Sequence, residues 1–150
     1  MARSSSRTRI ATVSHDGLGA RILIVDDQPS NVRLLEFTLR RGGYLDVAST
    51  TDPKQVAALH LANHYDLLLL DLQMPGMSGF QVMQQLREAE GADRITIFVI
   101  SADPALMVAA LEAGADNFLS KPYRLPDVLD RVHTLLATRG GGKAPLPRER

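Results

Sequence analysis

The chain has 150 residues, enough for one domain with a real core, and 45% of them are hydrophobic, within the globular range. Its 17 basic and 17 acidic side chains balance, so overall charge directs it neither to nucleic acid nor to a membrane surface. With no cysteine, disulfides and thiolate metal sites are excluded and a cytoplasmic location is expected; no apolar run nears the roughly 20 residues that cross a bilayer.

Residues 1–19 carry Arg3, Arg7, Arg9 and the run Ser4-Ser5-Ser6 without the apolar centre of a secretory signal, and read as a flexible, weakly basic leader. The folded part is expected over 20–138. Its first strand is Arg21-Ile22-Leu23-Ile24-Val25, ended by Asp26-Asp27. Pro29 opens a helix with apolar Val32, Leu34, Leu35, Phe37 and Leu39, and Gly42-Gly43 stops it. A second strand is expected near Leu45. Asp52-Pro53 then supplies a cap and a proline first residue to a helix carrying Val56, Ala57, Leu59 and Leu61.

The third strand is Leu67-Leu68-Leu69-Leu70, followed by Asp71 and the loop Leu72-Gln73-Met74-Pro75-Gly76-Met77-Ser78-Gly79. Pro75 and the two glycines shape a turn that bends sharply into a third helix. Residues 95–100 form the fourth strand, ended by Ser101-Ala102. Asp103-Pro104 repeats the capped start before Leu106, Val108 and Leu111, and Gly114 stops that helix. Asn117-Phe118-Leu119-Ser120 is the fifth strand, and Lys121-Pro122 after it is a place where a cis peptide is tolerated. Leu125-Pro126 opens the last helix, with Val128, Leu129, Val132, Leu135 and Leu136 on one face. Residues 139–150, rich in Gly and Pro, read as a tail or linker unable to sustain a helix.

Strand and helix therefore alternate five times. Continuous apolar strands are those buried on both faces, which predicts a doubly wound parallel sheet between two layers of helices, an α/β fold. Ligands of such sheets bind at the carboxyl ends of the strands. Asp26, Asp27, Asp71, Ser101 and Lys121 all fall at those ends. Each has an ordinary reading: Asp26 or Asp27 as a helix cap, Asp71 as a turn residue, Ser101 as a local cap, Lys121 as solvated surface. As a set, three carboxylates repel unless a cation joins them, and all-oxygen ligation favours Mg2+. An exposed strand-end aspartate is a nucleophile able to form an acyl phosphate, and a lysine is a point charge suited to a phosphate oxygen. No glycine-rich dinucleotide turn follows the first strand, and no Walker lysine motif occurs.

The runs from Arg21-Ile-Leu-Ile-Val-Asp-Asp27 through Asp71-Leu-Gln-Met-Pro-Gly-Met-Ser-Gly79 to Ser120-Lys-Pro122 are similar to the receiver domain of two-component response regulators, the CheY-like family. The resemblance covers residues 21–138 and implies a flavodoxin-like five-stranded parallel sheet in the order 2-1-3-4-5. It implies Asp71 as phosphoacceptor, Asp26 and Asp27 as the Mg2+-holding pair, and the backbone carbonyl of Gln73 as a further ligand. Ser101 matches the switch hydroxyl, Lys121 the phosphate-binding lysine and Phe118 the switch aromatic, here without a hydroxyl. Gln73 and Asp103 fall where the family varies. An acidic Asp103 near a phosphoryl group would disfavour it, unless the side chain caps the helix at Pro104, the preferred reading.

The resemblance further implies phosphoryl transfer from a sensor histidine kinase or histidine phosphotransfer protein onto Asp71. A switch in the surface of the fourth helix, fifth strand and fifth helix, residues 105–113 and 126–131, would then act on an output partner or homodimer. The expected role is a signalling module with self-catalysed phosphorylation and dephosphorylation, not a turnover enzyme. A Mg2+-dependent aspartate-nucleophile phosphohydrolase is the first alternative. Such enzymes place a second acid two residues past the nucleophile, where this chain has Gln73, and need room for a substrate pocket. A phosphorylation-independent docking module is the second. No helix-turn-helix sequence is visible, so no direct nucleic-acid binding and no membrane contact are expected.

Overall fold

Ile22–Val25 and Leu67–Leu70 are buried at every position, because helices cover both faces of the sheet they enter. The computed structural model describes residues 17–90 and 94–142. The strands are β1 (Ile22–Val25), β2 (Val47–Thr50), β3 (Leu67–Leu70), β4 (Thr96–Ser101) and β5 (Asn117–Ser120). The helices are α1 (Pro29–Arg41), α2 (Val56–Asn63), α3 (Gly79–Glu90), α4 (Met107–Glu112) and α5 (Leu125–Gly142). All strand pairs are parallel, in the order β2-β1-β3-β4-β5.

Successive strand residues point to opposite faces, and the core divides accordingly. Leu23, Val25, Leu68, Leu70 and Val99 meet Val56 of α2, Val82, Met83 and Leu86 of α3 and Ala110 of α4. Ile22, Ile24, Leu67, Leu69, Phe98 and Ile100 meet Val32, Leu35 and Leu39 of α1 and Val128, Val132 and Leu136 of α5. Each of the larger side chains, Val, Leu, Ile, Met or Phe, contributes about 1.5–3 kcal/mol by leaving water.

The register brings the carboxyl ends level. Val25 pairs with Leu70, Leu70 with Val99, and Ser101 with Ser120. The residues that follow each strand thus open into one crevice.

Several local expectations need correction. β2 begins at Val47, and Leu45 lies outside it, 70% exposed. Asp52 and Asp103 do cap, accepting from Lys54 N–H and Ala105 N–H at 3.0 Å each, but the turns they open, Pro53–Gln55 and Pro104–Leu106, are 3₁₀ before α2 and α4 begin. Leu34 and Phe37 belong to the apolar period of α1 yet face solvent, the Arg41 guanidinium lying 5.6 Å from the Phe37 ring centroid. Residues 17–19, expected in the leader, enter a turn in which Ala20 N–H donates to Gly17 O at 3.0 Å. That turn packs on α5: a side-chain carbon on Gly17 would sit 2.8 Å from Leu136 Cβ. At the other end α5 runs to Gly142, past Thr138, so the glycine run does not break it there. Residues 1–16 and 143–150 of the expected leader and tail lie outside the described residues.

The carboxyl end of α4 is tied to neighbouring elements by two arginines. Arg87 of α3 donates to Ala113 O, and Arg94 donates to Gly114 O at 3.0 Å and pairs with Asp116 at 3.3 Å. Gly114, at φ +120°, stops the helix, and its missing side chain leaves the space that the Arg87 guanidinium fills.

Candidate functional site

Asp26 and Asp71 leave β1 and β3 side by side, with Asp71 N–H donating to Val25 O at 3.0 Å. Both carboxylates are buried, Asp26 to 3% exposure and Asp71 to 6%, and Asp27 is half-buried beside them. Carboxylate oxygens from all three lie within 4.8 Å of one another, the one such acidic or histidine cluster among the described residues.

Buried charge is tolerated only when it is met by donors or counter-charge. Asp26 accepts from Gln28 N–H at 2.9 Å, from the Asn31 amide at 3.3 and 3.4 Å, and from Lys121 Nζ at 3.3 Å. Lys121 Nζ lies 3.9 Å from Asp71 Oδ2, so one ammonium is shared between two aspartates. Asp71 Oδ1 accepts Gln73 N–H at 3.3 Å. Burial pushes the Asp71 pKa up; Lys121 and the Gln73 N–H pull it down, while the charges of Asp26 and Asp27 push it further up.

The lysine reaches the crevice from a fixed backbone. Lys121 N–H donates to Ser101 O at 2.8 Å, and the Lys121-Pro122 peptide is cis. Ser101 is fully buried, and its Oγ accepts Asp103 N–H at 3.2 Å. Asp103 turns its own carboxylate to Ala105 N–H, as its capping reading requires. Phe118 is buried and shares the core cluster that contains Ala110 of α4. Asn117, beside it, accepts from Arg131 of α5 at 2.8 Å, and Arg131 also donates to Phe118 O at 2.7 Å.

The loop after Asp71 closes tightly. Gly79 N–H donates to Leu72 O at 2.9 Å, and a side-chain carbon at Gly79 would lie 2.6 Å from Asp71 O and 2.8 Å from Leu72 Cα. Only glycine fits without moving backbone.

The acidic trio, Lys121 and the Gln73 backbone thus meet in one crevice, with Ser101 at the adjoining strand end. Sequence reasoning missed Asn31, whose signal was an amide in the first turn after an acidic pair. It also missed Tyr123, whose phenol pKa is raised first by burial and then by the charge of Asp26. Three carboxylates against one ammonium leave the crevice anionic, and an all-oxygen donor set of this kind fits a hard divalent cation such as Mg2+.

The model of the response regulator receiver domain family matches residues 22–133. The chain is 36% identical over 121 residues to the DNA-binding response regulator MtrA of Mycolicibacterium smegmatis, covering 81% of this chain and 52% of that protein. It is 39% identical over 117 residues to the transcriptional regulatory protein ResD of Bacillus subtilis, covering 77% of this chain and 48% of that one. The chain therefore spans about half the length of these curated relatives. Among solved structures, a response regulator signal receiver domain from Bermanella marisrubri aligns with a TM-score of 0.72 at 31% identity, over 79% of this chain and 98% of that one. Vibrio cholerae chemotaxis protein CheY4 shares the fold with a TM-score of 0.71 at 24% identity, over 78% and 98% of the two chains. A family match over most of the chain, on a sheet of the flavodoxin-like order, establishes that this chain belongs to the response regulator receiver domain family of two-component signalling.

Proposed function

We propose that the chain accepts a phosphoryl group on Asp71 and relays its presence to a partner. The observation that carries this reading is the placing of Lys121 Nζ 3.3 Å from Asp26 and 3.9 Å from Asp71, one cation shared with an aspartate at a strand end. Asp26, Asp27, Asp71 and the Gln73 carbonyl would hold Mg2+, which when bound neutralises charge on the transferring phosphoryl oxygens. An Asp71 carboxylate oxygen attacks phosphorus in line, the phosphorus–nitrogen bond of a phosphohistidine donor breaks, and the imidazole leaves. Lys121 meets the charge spread over the equatorial oxygens. The donor is a histidine kinase or a histidine phosphotransfer protein.

The acyl phosphate brings about −1.5 to −2 charges into the crevice. Ser101 turns its hydroxyl to the new oxygens, Phe118 moves into the space released, and the face of α4, β5 and α5 changes. Met107, Val108 and Leu111 of α4 support an output role for that face, since all three are substantially exposed on a short helix. Its occupant is an output partner or a second phosphorylated copy. The whole is a cytoplasmic signalling module with self-catalysed phosphorylation and dephosphorylation.

Intact mass after incubation with acetyl phosphate and Mg2+ tests the reading. One phosphoryl adduct, absent with EDTA and absent in Asp71→Asn, is expected. A folded protein that gains no adduct would instead be a docking module of the same shape.

A further inference from the structure

Asp26 is nearly fully buried, and its donors differ in kind. Gln28 N–H, on Oδ1 at 2.9 Å, is fixed by the chain path. Lys121 Nζ, on Oδ2 at 3.3 Å, carries a full charge and has Asp71 as a second partner. The Asn31 amide reaches both oxygens, at 3.4 and 3.3 Å, and brings no charge. Its place is set by α1: Pro29 opens the helix and Asn31 N–H donates to Gln28 O at 3.0 Å, so the side chain rises from the first turn beside β1.

A carboxylate that must ligate a cation needs a fixed plane and undiminished charge. A neutral donor spanning both oxygens supplies the first without taking the second, whereas a lysine that closes on the same carboxylate competes with the cation. We propose that Asn31 is a positioning residue: its amide orients the Asp26 carboxylate for a divalent cation and keeps Lys121 shared with Asp71. The inference rests on the Mg2+-dependent reading above. Without the amide, Asp26 turns toward the ammonium, which draws Lys121 from Asp71 and weakens cation binding.

Calorimetric titration of the full chain with Mg2+ tests this, with the thermal midpoint measured in parallel without Mg2+. Asn31→Leu, which keeps the branch at Cγ and removes the amide, is expected to raise the Mg2+ Kd about 5-fold, the order of one hydrogen bond's net contribution. Asn31→Gln, which keeps the amide, is expected to recover part of that loss. Placing Asn31→Leu in a Lys121→Ala background is expected to shrink the penalty, because the competing ammonium is gone. A Kd within 2-fold of the parent in Asn31→Leu, whatever the midpoint does, would show that Asn31 serves the fold and not the ligand. If Asn31→Leu does not fold, Asn31→Ser is judged by the same comparison. Wild-type protein that takes up no Mg2+ would overturn the functional reading itself, an outcome distinct from a variant that binds as well as its parent.

Discussion

The backbone N–H of Asp103 donates to the Ser101 hydroxyl oxygen across 3.2 Å, so the turn that opens toward α4 is held by the side chain expected to sense a phosphoryl group. A rotation of the Ser101 side chain toward a new oxygen at Asp71 would carry Oγ away from Asp103 N–H. Ser101→Ala removes the acceptor and is expected to cost about 1 kcal/mol in urea denaturation. The variant should still gain a phosphoryl adduct from acetyl phosphate. Its amide hydrogen exchange over residues 103–107, however, should no longer differ between phosphorylated and unphosphorylated protein. A difference that persists in the variant would disconnect Ser101 from the α4 turn.

Gly79→Ala should be costly for its size. The added carbon meets the Asp71 carbonyl oxygen and Leu72 Cα, both backbone atoms that no rotamer change can move aside. A loss of about 1–3 kcal/mol in the unfolding free energy from urea denaturation is expected, with slower adduct formation because the shifted carbonyl belongs to Asp71. A variant as stable as its parent would mean that the loop relaxes freely.

Lys121→Ala separates charge neutralisation from metal binding. Removing one donor from developing charge typically costs about 100- to 1000-fold in rate, and adduct formation from acetyl phosphate should fall by that order. Mg2+ binding should hold or tighten, since the ammonium shares Asp26 and Asp71 with the cation. Equal losses in both measurements would instead point to a collapsed crevice.

Alkaline pH should expose the burial of Tyr65. Burial raises its phenol pKa first; the Arg21 charge acts against the rise and the Asp46 charge with it. A folded pKa above the unfolded one contributes stability that is complete below the unfolded value, about pH 10, and is lost as pH climbs through the folded value. Thermal midpoints should therefore begin to fall above about pH 10, and Tyr65→Phe should flatten that part of the decline. An unchanged slope in Tyr65→Phe would assign the alkaline loss to other groups.

Much of this architecture was legible in the sequence because one physical rule governed it. Leu67–Leu70 has no polar alternation, so it had to be covered on both sides, and the residues ending such strands had to converge. Asp52 and Asp103 were readable as caps for a similarly local reason, a side-chain oxygen two residues before a free N–H. What depends on tertiary surroundings was not readable. Leu34 and Phe37 keep the helical period of α1 but fall on the side turned from the sheet. Leu18 and Gly17 look like linker and yet find Gly43 and Leu136 to pack on. Asn31 carried only the weak signal of an amide in the first turn after an acidic pair; its meaning appears when α1 brings it to Asp26.

The two arginines at Ala113 and Gly114 act on one end of α4 only. The other end follows the short turn Pro104–Leu106, whose holding contacts include the Ser101 hydroxyl and the Asp103 cap. A rod pinned at one end and tethered lightly at the other does not slide; it swings. Under the proposed switch, displacement would grow with distance from the pin, Met107 would travel farther than Leu111, and a bond rearranged in the crevice would be read on the surface as an angle.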